Sequence, residues 1–298
     1  MVSSELWNSL TQTLFSSVDD EFVSKFRRPG GANNRLGVWD AYDSTMRYFK
    51  FLLYSEAARE SDRFFELYRA LQNVDLGLPV SVRMRSCDIN IDYLLSVQEY
   101  LFVDAAVDMG EVSSVIEIGA GFGRTCHALL SFRKSIERYT IVDLPAMIEL
   151  SRRFLARAIP GEFHKVSFVP VDEASRWDGL VADMAINIDS FQEMPPATID
   201  GYMRGLVGNC RLFYVKNPVA KYDPECIGVQ VEDKARFKDV FSLGRCTKVV
   251  DIFDDEQLRL CRREYLEAYR PGPTWELVTE APLDIFPYYH HAIYRAGA

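Results

Sequence analysis

The spacing of apolar and polar positions divides the chain near residue 110. Before that point it is helical: Met46, Phe49, Leu52 and Leu53 share one face, and Phe64, Phe65, Tyr68 and Leu71 repeat the spacing after Ser61. Glycine and asparagine at 30–34 and the Leu-Gly-Leu-Pro run at 76–79 read as breaks, and a further helix is expected over 92–108. Strand-like runs are few in this half. Beyond residue 114, short apolar runs alternate with helical stretches, which predicts a parallel sheet with crossover helices. Strands are expected at 115–118, 139–142, 166–169, 184–188 and 212–215. Helices are expected to open near Phe122, Pro145 and Pro196, with both prolines in the first turn, where a missing amide costs nothing. The last two strand candidates, 275–279 and 291–295, are joined by a loop rather than a helix and therefore predict an antiparallel pair.

Composition narrows the function. The 298 residues carry 34 basic and 43 acidic side chains, a net charge of -9, which disfavours a nucleic-acid partner. Six scattered cysteines with no C-x-x-C pair and no export-type leader predict reduced thiols and a cytoplasmic protein. No run approaches the ~20 apolar residues of a membrane span.

The most informative segment is Val115-Ile116-Glu117-Ile118-Gly119-Ala120-Gly121-Phe122-Gly123-Arg124, a buried strand running into a glycine turn and a helix. Such a turn lets backbone approach a ligand, and the helix start offers unpaired amides. A nicotinamide-dinucleotide fingerprint spaces its glycines G-x-G-x-x-G, whereas here they fall at Gly119, Gly121 and Gly123, two residues after an acid. About twenty residues on, the second strand ends in Asp143-Leu144-Pro145. The E-x-G-x-G-x-G form resembles the glycine loop of S-adenosylmethionine (SAM) methyltransferases of the Rossmann-like class. In that reading Glu117 favours the amino group of SAM, Asp143 accepts from the ribose hydroxyls, and Asp172, beyond the third strand, lies beside the adenine. The competing readings are a helix cap for Asp143 and a solvated loop acid for Asp172.

After the fourth strand comes Asn187-Ile188-Asp189-Ser190-Phe191-Gln192-Glu193-Met194-Pro195, dense in polar groups at a carboxyl edge. Together with the glycine loop, Val142-Asp143-Leu144-Pro145 and the closing His290-His291-Ala292-Ile293-Tyr294-Arg295, it resembles a bacterial family of sugar O-methyltransferases, over residues from about 90 onward. The resemblance implies an α/β fold: a Rossmann-like, seven-stranded, mostly parallel sheet with an antiparallel last strand. It also implies methyl transfer from SAM, leaving S-adenosylhomocysteine, to a hydroxyl of a sugar or glycosylated small molecule in polysaccharide or natural-product biosynthesis, with a sugar or nucleotide sugar as the expected acceptor. Residues 1–110 would form a helical cap over the acceptor, with Tyr42, Arg47, Tyr48 and Tyr93 as contacts, or the surface of a homodimer; residues 111–298 would form the SAM-binding core.

An alcohol reacts only as its proton leaves, so a general base is required. Asp189, Glu193, His290 and His291 are the candidates, and strand alternation sends the two histidines to opposite faces. Glu193 has a competing role as a cap before Pro195-Pro196, and the histidines as buried strand-end residues. His127 and His164 read as packing and loop residues. The cofactor set is Glu117, Gly119, Ala120, Gly121, Gly123, Arg124, Asp143, Leu144, Asp172 and Asn187. A divalent metal on Asp189, Glu193 and a histidine is not expected. Arg83, Arg85, Lys216 and Lys221 would suit a pyrophosphate-bearing acceptor, against the plainer reading of surface charge. Rival functions are methylation of a non-sugar small molecule, an NAD(P)-linked oxidoreductase, and a non-catalytic SAM-fold partner.

Overall fold

The computed structural model describes residues 44–171, 177, 179–227 and 241–297. The chain forms two compact units, Met1–Ser55 and Glu56–Ala298. Helix α1 (Ser44–Arg59) crosses that boundary. Its expected apolar face is not buried as one: Leu53 is buried, while Met46 and Leu52 are 44% and 38% exposed.

In the second unit, α2 (Asp62–Ala70) is capped by the Ser61 hydroxyl, which accepts from the Phe64 amide, and it buries Phe64, Phe65, Leu67 and Tyr68. An unforeseen hairpin follows, β1 (Ser81–Met84) and β2 (Cys87–Asn90). Its two turn residues, Arg85 and Ser86, both adopt positive φ (46° and 66°), a primed turn normally signalled by Asn-Gly and here carried by residues with no such signature. Asn90 then caps α3 (Ile91–Ala106).

The remaining elements wind the main sheet: β3 (Ser114–Ile118), α4 (Arg124–Phe132), β4 (Arg138–Asp143), α5 (Pro145–Ala158), β5 (Val166–Pro170), β6 (Ala182–Ile188), α6 (Pro196–Gly205) and β7 (Cys210–Pro218). A small parallel pair, β8 (Lys221–Tyr222) and β9 (Val249–Val250), precedes α7 (Asp255–Ala268), β10 (Trp275–Pro282) and β11 (Tyr289–Ala296). The seven strands lie in the order β10-β11-β7-β6-β3-β4-β5. β3 to β7 are parallel, and β11 runs antiparallel to both β7 and β10. The expected mostly parallel sheet of seven strands, with its last strand reversed, is what forms.

The two faces of the sheet differ chemically. On one, Ile116, Ile118, Val142, Ala185, Phe213 and Val215 pack with Ile199 and Tyr202 of α6 and Leu258 and Tyr265 of α7 in one apolar cluster. On the other, under α3 and α4, the alternate residues include Glu117, Tyr139, Tyr214, Lys216 and His291, all buried. Charge buried in a core persists only when paired, so this second face must carry a closed polar network.

Candidate active site

The strand order reverses between β4 and β6 on either side of β3, and open α/β sheets bind ligands in the crevice beyond the strand ends at such a point. The loop leaving β3 occupies it. Gly119, Gly121 and Gly123 have φ of 74°, 58° and 93°, a region that side-chain-bearing residues rarely adopt. Gly119 has a second requirement: a Cβ there would lie 2.1 Å from Ser190 Oγ, so the loop and the turn after β6 touch. At Gly121 a Cβ would meet nothing within 4 Å, which leaves open space in front of its backbone. Gly123 caps α4 without any side-chain bond, so the first amides of that helix have no side-chain acceptor at the cap.

That open space is a cavity of about 500 Å³. Gly119, Gly121, Asp143, Leu144 and Met147 line one side, and Ser190, Glu193, Met194, Thr198 and Tyr202 the other. Its size suits a ligand of several hundred daltons, and its walls are apolar with few polar groups, as is usual for a cofactor site. Asp143 is buried at its edge; Oδ2 accepts from the Gly121 amide at 2.8 Å and Oδ1 from the Leu144 amide at 2.7 Å. Burial raises this carboxyl, and those two amides pull it back. Each oxygen retains a lone pair for a ligand hydroxyl. Asp143 therefore fastens the loop while still facing the cavity; the expected helix cap does not form, since the N-cap position of α5 is Leu144 and no side chain bonds the first amides there.

Other expected cofactor residues stand behind the loop. The Glu117 carboxylate is buried and accepts from the Tyr139 hydroxyl at 2.8 Å. Burial pushes it up to about 7, against the hydrogen bonds from Tyr139 and Thr125. Arg124 turns into the protein, donating to both Glu99 oxygens (2.7 and 3.1 Å) and to Ser96 Oγ (2.9 Å). Asn187 Nδ2 donates to the Ile118 carbonyl (2.9 Å) and Ser190 Oγ (2.6 Å), and its Oδ1 accepts from Asn217 (2.8 Å), tying β3, β6 and β7 together. The Ala120 carbonyl accepts from the Gly123 amide at 3.0 Å, closing the turn. Asp172 and Tyr42 lie outside the described residues.

The four candidate bases separate. Asp189 follows β6 with φ +63°, a strained value that an aspartate tolerates better than most residues, and it is exposed at the strand edge. Its amide donates to the Lys216 carbonyl at 2.8 Å. Its Oδ1 accepts from the Tyr289 hydroxyl at 2.7 Å and from Gln192 Nε2. Glu193, in the short 3-10 turn Phe191–Glu193, borders the cavity; partial burial and the nearby Asp189 charge raise it, and Lys221 opposes them.

The histidines face apart, as alternation requires. His290 is fully buried against Tyr265 of α7 and pairs through Nε2 with Glu280. On the other side, His291 bonds the Tyr214 hydroxyl through Nδ1 at 2.8 Å and packs 4.7 Å from the Phe102 ring. Burial, with Lys216 nearby, pushes His291 down to about 3, so it is neutral. Of the four candidates Glu193 lines the cavity wall, while Asp189, beside the wall residue Ser190, and both histidines do not. His127 is buried against Tyr93, whose hydroxyl meets its Nδ1 at 2.5 Å. That contact turns Tyr93 inward, and His164 sits in the 3-10 turn Phe163–Lys165.

Two residues of this edge escape sequence reasoning. Tyr289 directly precedes the flagged histidines, and nothing in its spacing marks its hydroxyl as a partner of Asp189. Glu99 left a usable signal: it sits on the helical stripe of Ser96, Tyr100 and Val103, where an acid on a buried face demands a cation. Lys216 and Lys221 are the corrections to surface charge: Lys216 is 3% exposed and bonded to Glu99 at 2.5 Å, and Lys221 is buried and donates to the Gln192 carbonyl at 2.9 Å. Arg83 and Arg85 do remain outside, paired with Asp88 and Asp62. Among the described residues no three His, Cys, Asp or Glu side chains converge as metal ligands, no helix is long and apolar enough to cross a membrane, and all six cysteines are free.

No protein-family model matches the chain, and no curated protein matches it. Solved structures are similar to it at low identity. LaPhzM is 14% identical with a TM-score of 0.45, over 87% of this chain and 66% of that one. The mitomycin 7-O-methyltransferase MmcR is 13% identical with a TM-score of 0.45, over 88% and 70%. The O-methyltransferase TomG from Streptomyces achromogenes, involved in tomaymycin synthesis and solved with SAM, is 13% identical with a TM-score of 0.45, over 85% and 99%. This chain thus spans about two thirds of the length of the first two, 66% and 70%. Likeness at this distance leaves the activity to be argued from the residues of the chain itself.

Proposed function

We propose that this protein is a SAM-dependent O-methyltransferase whose acceptor is a hydroxyl of a sugar or glycosylated small molecule. The observation that carries the reading is one of position. A loop with three glycines at positive φ, two of them on the cavity wall, and the acid of the next strand share a cavity of about 500 Å³ at the sheet's switch point, and an oriented carboxylate stands on the adjoining turn. The cavity suits the cofactor: Asp143 is its ribose acceptor, the backbone of Gly119, Ala120 and Gly121 its cradle, and Leu144 and Met147 offer an apolar wall to a base. Glu117, Arg124 and Asn187 act from behind, by holding the loop. SAM supplies an electrophilic methyl group on a sulfonium.

What the chain contributes is alignment, exclusion of water and removal of a proton. Asp189 is the group best suited to take that proton, since it is accessible and its Oδ1 is fixed by Tyr289 and Gln192. A base held by a second group is the usual arrangement for activating a hydroxyl. Glu193 is the next choice. The histidines serve the fold instead, His291 neutral and His290 enclosed. The aromatic rings of Tyr288 and Tyr289, 4.7 Å apart beside Asp189, would suit stacking on a sugar ring. Free thiols and the acidic net charge support a cytoplasmic small-molecule enzyme, and residues 1–110 are proposed as the acceptor cover or a homodimer surface.

The test is release of S-adenosylhomocysteine from SAM with three acceptor sets: free sugars, nucleotide sugars and aglycone phenols. Turnover confined to the first two supports the reading. Turnover with phenols alone makes the enzyme a non-sugar O-methyltransferase, and binding of a nicotinamide cofactor in place of SAM overturns the assignment.

A further inference from the structure

We propose that Lys216 is a positioning residue of this site: its buried ammonium, fastened by Glu99, which Arg124 holds in turn, keeps the Asp189–Tyr289 pair at the sheet edge as a charged, oriented base. The role rests on the proposed use of Asp189, but the arrangement is independent of any acceptor. Lys216 lies near the end of β7 on the face covered by α3 and α4, is 3% exposed, and donates to Glu99 Oε1 at 2.5 Å. Glu99 is itself 2% exposed and takes Arg124 on its other side at 2.7 Å. Burial would raise the Glu99 carboxyl, yet the two cations hold it down to about 2, so it stays ionised. Arg124 is the first residue of α4, directly after the glycine loop. One buried ion chain therefore runs from the glycine loop, through α3, to β7, the strand next to the turn after β6 that carries Asp189.

The geometry links Lys216 to Asp189 twice. The Lys216 carbonyl accepts the Asp189 amide at 2.8 Å, fixing the strained turn, and Lys216 Nζ lies 5.6 Å from the centre of the Tyr289 ring whose hydroxyl donates to Asp189. A lysine in so dry a place is a costly choice for a merely structural pin, since burial works against its charge and Glu99 must offset it. Its effect on Asp189 has a definite sign. Desolvation and Glu99 raise the Asp189 carboxyl, while the Tyr289 hydroxyl, Lys216 and Arg124 lower it. Glu193 on the same turn, Lys221 of β8 and Tyr288 just before β11 also sense its charge. Removing the Lys216 charge must therefore move the titration of Asp189 to higher pH, which loss of packing alone would not do.

The experiment follows the Asp189 carboxyl directly, by carbon NMR of full-length protein labelled at aspartate Cγ, with Asp189→Asn to identify the resonance. Lys216→Gln removes the charge and keeps a donor to Glu99, Lys216→Arg keeps both, and Lys216→Met is the second neutral variant should Lys216→Gln not fold. Calorimetric SAM binding reports independently on folding and on the cofactor assignment. We expect the Asp189 midpoint to rise by about one pH unit or more in the neutral variants, a tenfold change in its proton affinity, and to return to the wild-type position in Lys216→Arg. Identical midpoints in wild type and a folded neutral variant overturn the proposal. Failure of wild type to bind SAM instead overturns the proposed function and leaves the titration to judge Lys216 separately.

Discussion

At the scale of single residues, two carboxylates separate the proposed catalytic role from a structural one. Asp189 is exposed and tied through one oxygen, so Asp189→Asn removes a base with little change in shape. Turnover is expected to fall by about 100-fold or more, the usual contribution of general-base catalysis, with SAM affinity unchanged. Wild-type turnover in that variant would remove Asp189 from the mechanism. Glu117 is the opposite case. Its folded-state carboxyl is raised from 4.5 to about 7 by burial, so it favours the fold fully below about 4.5 and loses that contribution as pH rises through 7. Glu117→Gln keeps the acceptor for Tyr139 and cannot ionise. Denaturation with urea should show the variant gaining on wild type between pH 5 and pH 8, by up to about 3 kcal/mol. A difference that stays constant with pH would show that Glu117 is not neutralised by the fold. The identity of both acids was legible in the sequence, because each ends or nearly ends an apolar run. Their directions were not: whether Glu117 faces the ligand or the core depends on which face α4 covers.

At the scale of elements, the contact between the glycine loop and the turn after β6 is the critical joint. Gly119→Ala combines a left-handed φ with a Cβ 2.1 Å from Ser190 Oγ, so something must shift. The variant should lose at least tenfold in SAM affinity and be destabilised by about 1–3 kcal/mol. Adding Ser190→Gly should restore part of the stability, since it removes the collision but not the backbone strain. A Gly119→Ala protein with wild-type affinity and stability would contradict this joint. Periodicity reported the sheet strands and their crossovers well, because buried parallel strands read as unbroken apolar runs. It missed β1 and β2, whose turn at Arg85 and Ser86 lacks glycine or asparagine, and α7, whose Asp254 cap and Leu258, Cys261 and Tyr265 face are thin signals amid charged residues. The site split the same way. Gly119, Gly121 and Asp143 were readable from local spacing. Tyr289, Glu99 and buried Lys216 reach the site from β11, α3 and β7, and only the sheet order brings them together.

At the scale of the molecule, the doubly wound sheet gives its two faces different work. The face under α6 and α7 supplies a large apolar cluster, while the face under α3 and α4 carries the ion chain that joins the glycine loop to the edge of β7. Concentrating the Glu99, Arg124 and Lys216 charges on one face confines their desolvation cost to that face. The whole arrangement has a purpose only if the cavity at the switch point takes SAM. Calorimetric titration of SAM into wild type and into Asp143→Ala tests that most directly. The account predicts one binding site per chain in wild type and affinity at least tenfold weaker in the variant; no binding to wild type, or equal affinity in both, would contradict it.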